Sequence, residues 1–270
     1  MVKRFFSQAW LYHKARTAAF DWREFLFFDT GYPIITLVFY CLLAAYSFQT
    51  TDLTHWVIGN SFLMCVNTCI FGLGSLFRSE RYSGRLRSII AAPCNLFSVV
   101  LSYGFIPSIL AMGSVVLGFI VGAVVFGIDF SGVNLALATL TILCAMICAS
   151  CFGLLLSVFG LVSDGMHLIL NMMNYILMIF TGAEFPVSQL PVVGQAFSRI
   201  LPLTRSIEAM NLLFSNDTND FAPLLVGELV MAAIYVIAAV AVLKYADRAC
   251  RKQGSIRLSY RKIGFKSVTN

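Results

Sequence analysis

Six long runs of apolar residues divide the chain, and short polar stretches separate them. The runs cover residues 31–48, 55–77, 98–128, 133–162, 166–183 and 221–243. Each approaches or exceeds the about 20 residues with which an α-helix crosses about 30 Å of hydrocarbon. The pattern therefore predicts an all-α polytopic membrane protein with six transmembrane helices. Pro107 lies inside the third run, where we expect it to break the helix.

The two ends of the chain are more polar than these runs. Residues 4–29 mix aromatic and basic side chains, which is typical of an amphipathic helix lying in the membrane interface. A disordered basic leader is the alternative for this segment. Residues 245–270 are rich in Lys and Arg and predict a solvated tail attracted to the inner leaflet. No long polar stretch interrupts the chain, so residues 1–270 are interpreted as one transmembrane domain.

Composition and charge support this interpretation and orient it. Apolar residues make up 59% of the chain and charged residues 12%, whereas soluble domains carry about 25% charged residues. No Lys or Arg occurs between residues 88 and 198. If the termini and the loop at 78–97 face the cytoplasm, 17 of the 19 basic residues lie inside. We therefore expect a multi-pass plasma-membrane protein with both termini cytoplasmic and no nucleic-acid partner.

Motifs for catalysis and for nucleotide binding are absent from the sequence. It contains no G-x-x-x-x-G-K-[ST] phosphate loop, no H-E-x-x-H and no G-x-S-x-G, and its three histidines are scattered. Cys148 and Cys151 form a C-x-x-C inside an apolar run, where packing is the favoured interpretation. Glu228 lies near the outer end of the sixth run, not at its centre. We expect no bound cofactor, no metal site and no enzymatic activity in this chain.

Two segments stand out from this background. We call residues 78–97 the coupling loop; it carries the pattern E-x3-G-x-L-x2-I-x3-P, formed by Glu80, Gly84, Leu86, Ile89 and Pro93, with Arg81 beside them. It predicts a short charged helix with an apolar face that a soluble partner could bind, and an ordinary positive loop is the alternative. We call residues 184–220 the hairpin segment and expect a broken, re-entrant or interfacial hairpin on the outer face. Its distinctive residues are Glu184, Phe185, Pro186, Pro191 and Pro202.

These two segments resemble the membrane subunits of ABC-2-type ABC exporters. The most specific parts are the stretch from Glu80 to Pro93 and the string G-x-x-F-P…L-P…P-L-T…E-A-M from Gly182 to Met210. The resemblance implies six spans, an interfacial N-terminal helix, a coupling helix and a hairpin before the last span. It also implies two copies of an ABC ATPase, which bind ATP and magnesium, and a second permease copy or paralogue.

Polar side chains recur along one face of the second and of the fifth predicted span. The positions are Asn60, Met64, Asn67, Phe71 and Gly74 in the second, and His167, Asn171, Asn174, Met178 and Thr181 in the fifth. Asparagines in hydrocarbon need polar partners, so both faces should point toward protein or water. Substrate lining and helix packing are both compatible with this pattern, and the resemblance favours lining. Gly118 and Gly122 form a G-x-x-x-G that indicates close helix packing.

The sequence thus predicts the transmembrane subunit of an ATP-driven exporter. The apolar spans and short outer loops favour an amphiphilic or hydrophobic cargo such as a drug, a peptide antibiotic or a lipid. Export of lipid-linked polysaccharide is one alternative. A membrane scaffold that recruits a cytoplasmic partner and transports nothing is another.

Overall fold

The computed structural model describes most of the membrane-embedded chain. The described residues are 6, 7, 9–11, 14, 31–82, 84, 96–160, 165–215 and 219–252, with the backbone alone at 67, 96–103, 105 and 244–252. Most of the predicted interfacial helix at 4–29, most of the coupling loop with Leu86, Ile89 and Pro93, and the tail beyond 252 lie outside these ranges.

Every regular element in the described ranges is helical. The α-helices are α1 (Tyr32–Phe48), α2 (Thr54–Leu63), α3 (Leu76–Tyr82), α4 (Leu96–Phe126), α5 (Leu135–Phe159), α6 (Met166–Phe180), α7 (Val192–Ser198), α8 (Thr204–Phe214) and α9 (Phe221–Lys252). A π-helical segment, Val66–Phe71, and one α-helical turn, Gly72–Gly74, connect α2 to α3. A 3₁₀ turn, Val187–Gln189, precedes α7.

Four helical stretches are long and apolar enough to cross a membrane. They are Thr54–Gly74, Ile106–Phe126, Leu135–Phe159 and Phe221–Leu243. The two remaining predicted spans correspond to α1 and α6, with 17 and 15 residues. Both are apolar but shorter than the about 20 residues of a perpendicular span. The structure therefore agrees with a multi-pass membrane protein, and the number of six spans stays a prediction.

The expected break at Pro107 is wrong. Helix α4 continues through Pro107 from Leu96 to Phe126. The Ser108 hydroxyl donates to the Gly104 carbonyl at 2.7 Å and lies 2.6 Å from the Ser150 hydroxyl of α5. Neighbouring helices and serine hydroxyls can satisfy the backbone around a proline in a membrane helix, so the helix need not end there.

The second span and α5 form the centre of the bundle. In their apolar windows 82% and 72% of residues are buried, against 28% in those of α4 and α9. A Cβ atom on Gly153 of α5 would lie 2.3 Å from the carbonyl oxygen of Cys69, so the π-helical segment packs directly on the α5 backbone. Because only glycine allows this approach, the two central helices are held at unusually short range.

Glycines also bring α4 close to α2. A Cβ on Gly118 would lie 2.7 Å from the Ser61 hydroxyl, and one on Gly122 would lie 2.3 Å from Cγ1 of Val57. The G-x-x-x-G motif thus forms a helix-packing face, as its spacing indicates.

Candidate functional site

A cavity of about 260 Å³ lies between α1, the second span and α6. Amide, hydroxyl and aromatic side chains share its wall with aliphatic ones. The lining residues are Tyr32, Pro33, Thr36, Leu37, Tyr40, Asn60, Leu63, Met64, Phe71, Asn171, Asn174, Tyr175 and Met178. A wall with polar groups inside an apolar bundle can bind a molecule that is itself partly polar.

Helical periodicity explains why these side chains converge. Asn60 and Met64 are four residues apart on the second span, and Asn171, Asn174 and Met178 follow a spacing of three and four on α6. Residues at such spacings share one face of a helix. The π-helical segment contains Phe71, and its wider turn shifts the register of the residues that follow.

The structure brings together six of the seven side chains predicted to border a path: Asn60, Met64, Phe71, Asn171, Asn174 and Met178. The side chain of the seventh, Asn67, lies outside the described part of the chain.

Three residues of the same two sequence stripes do not line the cavity. Gly74 instead packs against Leu170, where a Cβ would lie 2.6 Å from Cδ2. Thr181 is buried and donates to the Leu177 carbonyl, and His167 is exposed.

Helix α1 provides a side of the cavity that was not predicted from the sequence. Three of its lining residues are four positions apart: Tyr32, Thr36 and Tyr40. This is the same helical spacing that identified the other two stripes. Tyr175 of α6 was missed as well, although it follows Asn174 directly. Their hydroxyl groups add hydrogen-bonding capacity to the asparagine amides of the wall.

The start of the hairpin segment packs against the Thr54 end of the second span. Trp56 Nε1 donates to the Glu184 carbonyl at 3.0 Å. A Cβ on Gly59 would lie 2.5 Å from both the Cα and the carbonyl oxygen of Ala183, so the two backbones touch. The ring of Phe48 lies 5.2 Å from that of Trp56 and 6.4 Å from that of Phe185. These contacts fix the backbone of Glu184 beside the cavity.

The Glu184 carboxylate is a buried charge next to the lining residue Asn60. Its side chain is only 8% exposed, and Oε1 has no hydrogen-bond partner among the described residues. Burial raises the pKa of the Glu184 carboxyl above its ordinary value, and the Asn60 amide offsets part of this shift. Glu184 is not itself among the residues that line the cavity, and its carboxyl adjoins the wall through Asn60.

The rest of the hairpin segment is anchored to α9. Pro186 precedes the 3₁₀ turn and Pro191 precedes α7, while Pro202 is buried just before α8. Leu203 adopts a left-handed φ of 72°, and its N–H donates to Oε1 of Glu228 at 2.8 Å.

A second hydrogen bond joins α9 to the hairpin segment: the Tyr235 hydroxyl donates to the Ile200 carbonyl. Glu228 is fully buried, and the sequence analysis did not assign it this anchoring role. The sequence does contain a signal for this role. A carboxylate inside an apolar helix needs a polar partner, and the proline-interrupted hairpin segment is expected to leave backbone donors free.

Only the start of the coupling loop lies in the described part of the chain. Glu80 is on α3 and is buried, with 3% exposure, while Arg81 is half-buried. Gly84 follows the helix with a φ of 71°, and a Cβ there would have no atom of the described residues within 4 Å. The positive φ favours glycine, which explains the residue type at this position.

The described residues contain no group of three side chains that could hold a metal ion. Cys148 and Cys151 are free thiols on α5.

Comparison with protein families adds the decisive observation. The family model described as ABC-2 type transporter matches residues 19–214, more than half of the 270-residue chain. The chain belongs to the ABC-2 type transporter family. The matched range contains the whole cavity wall, the coupling loop and most of the hairpin segment.

The chain is therefore a transport permease subunit and a multi-pass membrane protein. ABC-2 permeases generally work with an ABC ATPase partner. A comparison with curated proteins finds no match.

Proposed function

We propose that this ABC-2 permease is the transmembrane subunit of an ATP-driven exporter that moves an amphiphilic or hydrophobic substrate out of the cytoplasm. The cavity between α1, the second span and α6 carries the proposal, because its wall combines amides and hydroxyls with aromatic and aliphatic side chains. A purely structural contact between apolar helices does not need so many polar groups.

The proposed complex contains two permease chains, identical or paralogous, and two ATPase subunits that bind ATP and magnesium. Both termini lie in the cytoplasm, as the distribution of Lys and Arg favours. The coupling loop then faces the ATPases, and the hairpin segment faces outward.

A continuous run of helical turns provides the mechanical connection. Phe71 lines the cavity, and the same run continues through Gly72–Gly74 toward α3, which carries Glu80. Closure of the ATPases would push on the coupling loop and shift the balance between two arrangements of the spans.

The direct test starts with purification of the tagged chain from its own membranes under mild conditions. We expect a stoichiometric companion with a phosphate-loop motif and vanadate-sensitive ATP hydrolysis, identified by mass spectrometry and an ATPase assay. Repeated purification without any ATPase would contradict the exporter proposal and favour the scaffold.

The cavity is tested separately in proteoliposomes that contain the complete complex. Replacement of Asn171 by Ala should weaken substrate-stimulated ATP hydrolysis, because Asn171 offers both hydrogen-bond donors and an acceptor to the cavity. Asp129→Asn, in an exposed turn remote from the cavity in sequence, is the matched control. Equal stimulation of both variants would assign Asn171 to packing. Stimulation by lipid-linked polysaccharide, and not by small amphiphiles, would favour the polysaccharide alternative.

A further inference from the structure

The Glu184 carboxylate lies next to Asn60, which belongs to the wall of the cavity. Among the described side chains that line it, none is a lysine, an arginine or a histidine. The carboxylate interacts electrostatically with Tyr40 and Cys41 of α1, and the Asn60 amide faces it from the second span. No cationic partner of this carboxylate is present among the described residues; a buried carboxylate of this kind is unfavourable, and a bound cation would remove this cost.

The cavity wall is also suited to a cation by its aromatic content. Tyr32, Tyr40, Phe71 and Tyr175 all contribute to the lining. Aromatic faces attract quaternary ammonium groups through their negative quadrupole. Three asparagine side chains complete the wall without adding a charge.

We propose that this cavity binds the positively charged group of an organic cation, with the aromatic rings as its walls and the Glu184 carboxylate, which adjoins the wall at Asn60, as the nearby countercharge. The proposal rests on the exporter function and narrows its cargo to cationic amphiphiles. A volume of about 260 Å³ accommodates a compact ammonium-bearing group, and the apolar remainder of the cargo would extend along the neighbouring spans.

The probe for the test is radiolabelled phenyltrimethylammonium, a small aromatic quaternary cation. The full chain is purified with its partner ATPase and placed in phosphatidylcholine nanodiscs, and empty nanodiscs give the lipid background. We expect saturable binding that unlabelled phenyltrimethylammonium displaces. The neutral isostere tert-butylbenzene, in which carbon replaces the charged nitrogen, should fail to compete.

Variants then assign the charge to Glu184. Glu184→Gln should weaken binding about tenfold or more, which corresponds to about 1.4 kcal/mol, whereas Glu184→Asp should retain part of the affinity. Glu208→Gln is the matched control, because Glu208 forms a solvent-exposed ion pair with Arg199 at 2.9 Å. Its affinity should equal that of the wild type.

Three results would overturn the inference: no saturable binding to the wild type, equal competition by the neutral isostere, or undiminished binding to a folded Glu184→Gln variant. The first two results are measured on the wild type alone, so the proposal can be tested even if the Glu184→Gln variant misfolds. ATP-driven transport of neutral amphiphiles without cation binding would refute this inference and leave the exporter function intact. Cation binding without any ATP-driven transport would refute the exporter function and retain the site.

Discussion

Glu184 shows how one buried charge links stability to pH. Because burial raises the pKa of this carboxyl in the folded chain, the folded state binds its proton more tightly than the unfolded state does. The resulting stabilisation is fully present below the unfolded pKa of about 4.3 and is lost as the pH rises through the folded value. Above the folded pKa the ionised carboxylate therefore costs stability, unless a cation occupies the cavity.

Replacement of Glu184 by Gln should raise the free energy of unfolding at pH 7 in the absence of ligand. We expect a gain of about 1 kcal/mol, comparable to the cost of a poorly satisfied buried polar group. Thermal unfolding in nanodiscs between pH 4 and pH 8 measures the effect, and the difference from the wild type should vanish at the acidic end. A lower melting temperature of the variant at pH 7 would show that the carboxylate stabilises the chain.

Glu228 differs from Glu184, because its Oε1 accepts a backbone hydrogen bond, although its Oε2 has no partner among the described residues. It accepts the Leu203 N–H at 2.8 Å and so holds the strained residue that precedes α8. Glu228→Leu should destabilise the chain by about 2 kcal/mol, since it leaves a buried backbone donor without its acceptor. Thermal unfolding and proteolysis of the hairpin segment report the loss.

The control for Glu228 is again Glu208→Gln. The ion pair of Glu208 with Arg199 is partly exposed, and such pairs contribute at most about 1 kcal/mol. If the two variants were equally stable, the hairpin segment would not depend on α9 for its position.

At the scale of elements, glycines decide how closely the central helices pack. Gly153→Ala should displace the π-helical segment, because the new Cβ would lie 2.3 Å from the Cys69 carbonyl oxygen, a backbone atom that cannot rotate away. We expect a loss of about 2 kcal/mol, within the range of overpacked cores. Phe71 belongs to the same segment and lines the cavity, so ligand affinity should fall too.

Gly113→Ala is the matched control on α4. Its Cβ would meet nothing within 4 Å, and alanine favours a helix over glycine by about 1 kcal/mol. This variant should be as stable as the wild type or slightly more stable in thermal unfolding. If Gly153→Ala behaved in the same way, the close contact between the π-helical segment and α5 would not constrain the fold.

At the scale of the whole molecule, the proposed mechanism requires that movement of the coupling loop is transmitted to the cavity. Glu80 is buried on α3, so we expect its replacement to affect transport by changing the position of that helix. Glu80→Gln and Gly84→Ala should each abolish or strongly reduce ATP-driven transport while membrane insertion is preserved. Typical coupling energies predict a loss of about 5-fold to 150-fold.

Transport in proteoliposomes and the amount of folded chain in the membrane fraction measure the two properties separately. Asp129→Asn changes an exposed loop charge and should transport at the wild-type rate. Unchanged transport in both the Glu80 and Gly84 variants would remove the coupling loop from the mechanism.

The sequence by itself determined the class of protein and the faces of its helices. Hydrophobic runs must lie in hydrocarbon, and a helical period puts Asn171, Asn174 and Met178 on one face whatever surrounds them. The family match to residues 19–214 confirms the resemblance that the coupling loop and the hairpin segment indicated. These properties depend on local composition and spacing alone.

Only the tertiary structure decided which faces meet. It placed the Tyr32, Thr36 and Tyr40 stripe opposite the two asparagine-bearing faces, and it carried α4 through Pro107 with the help of nearby serines. It also buried Glu80 and Glu228, and it left one carboxylate oxygen of Glu184 and one of Glu228 without a partner among the described residues. Burial and pairing depend on residues distant in sequence, such as Leu203 for Glu228, and no periodicity along one helix can specify them.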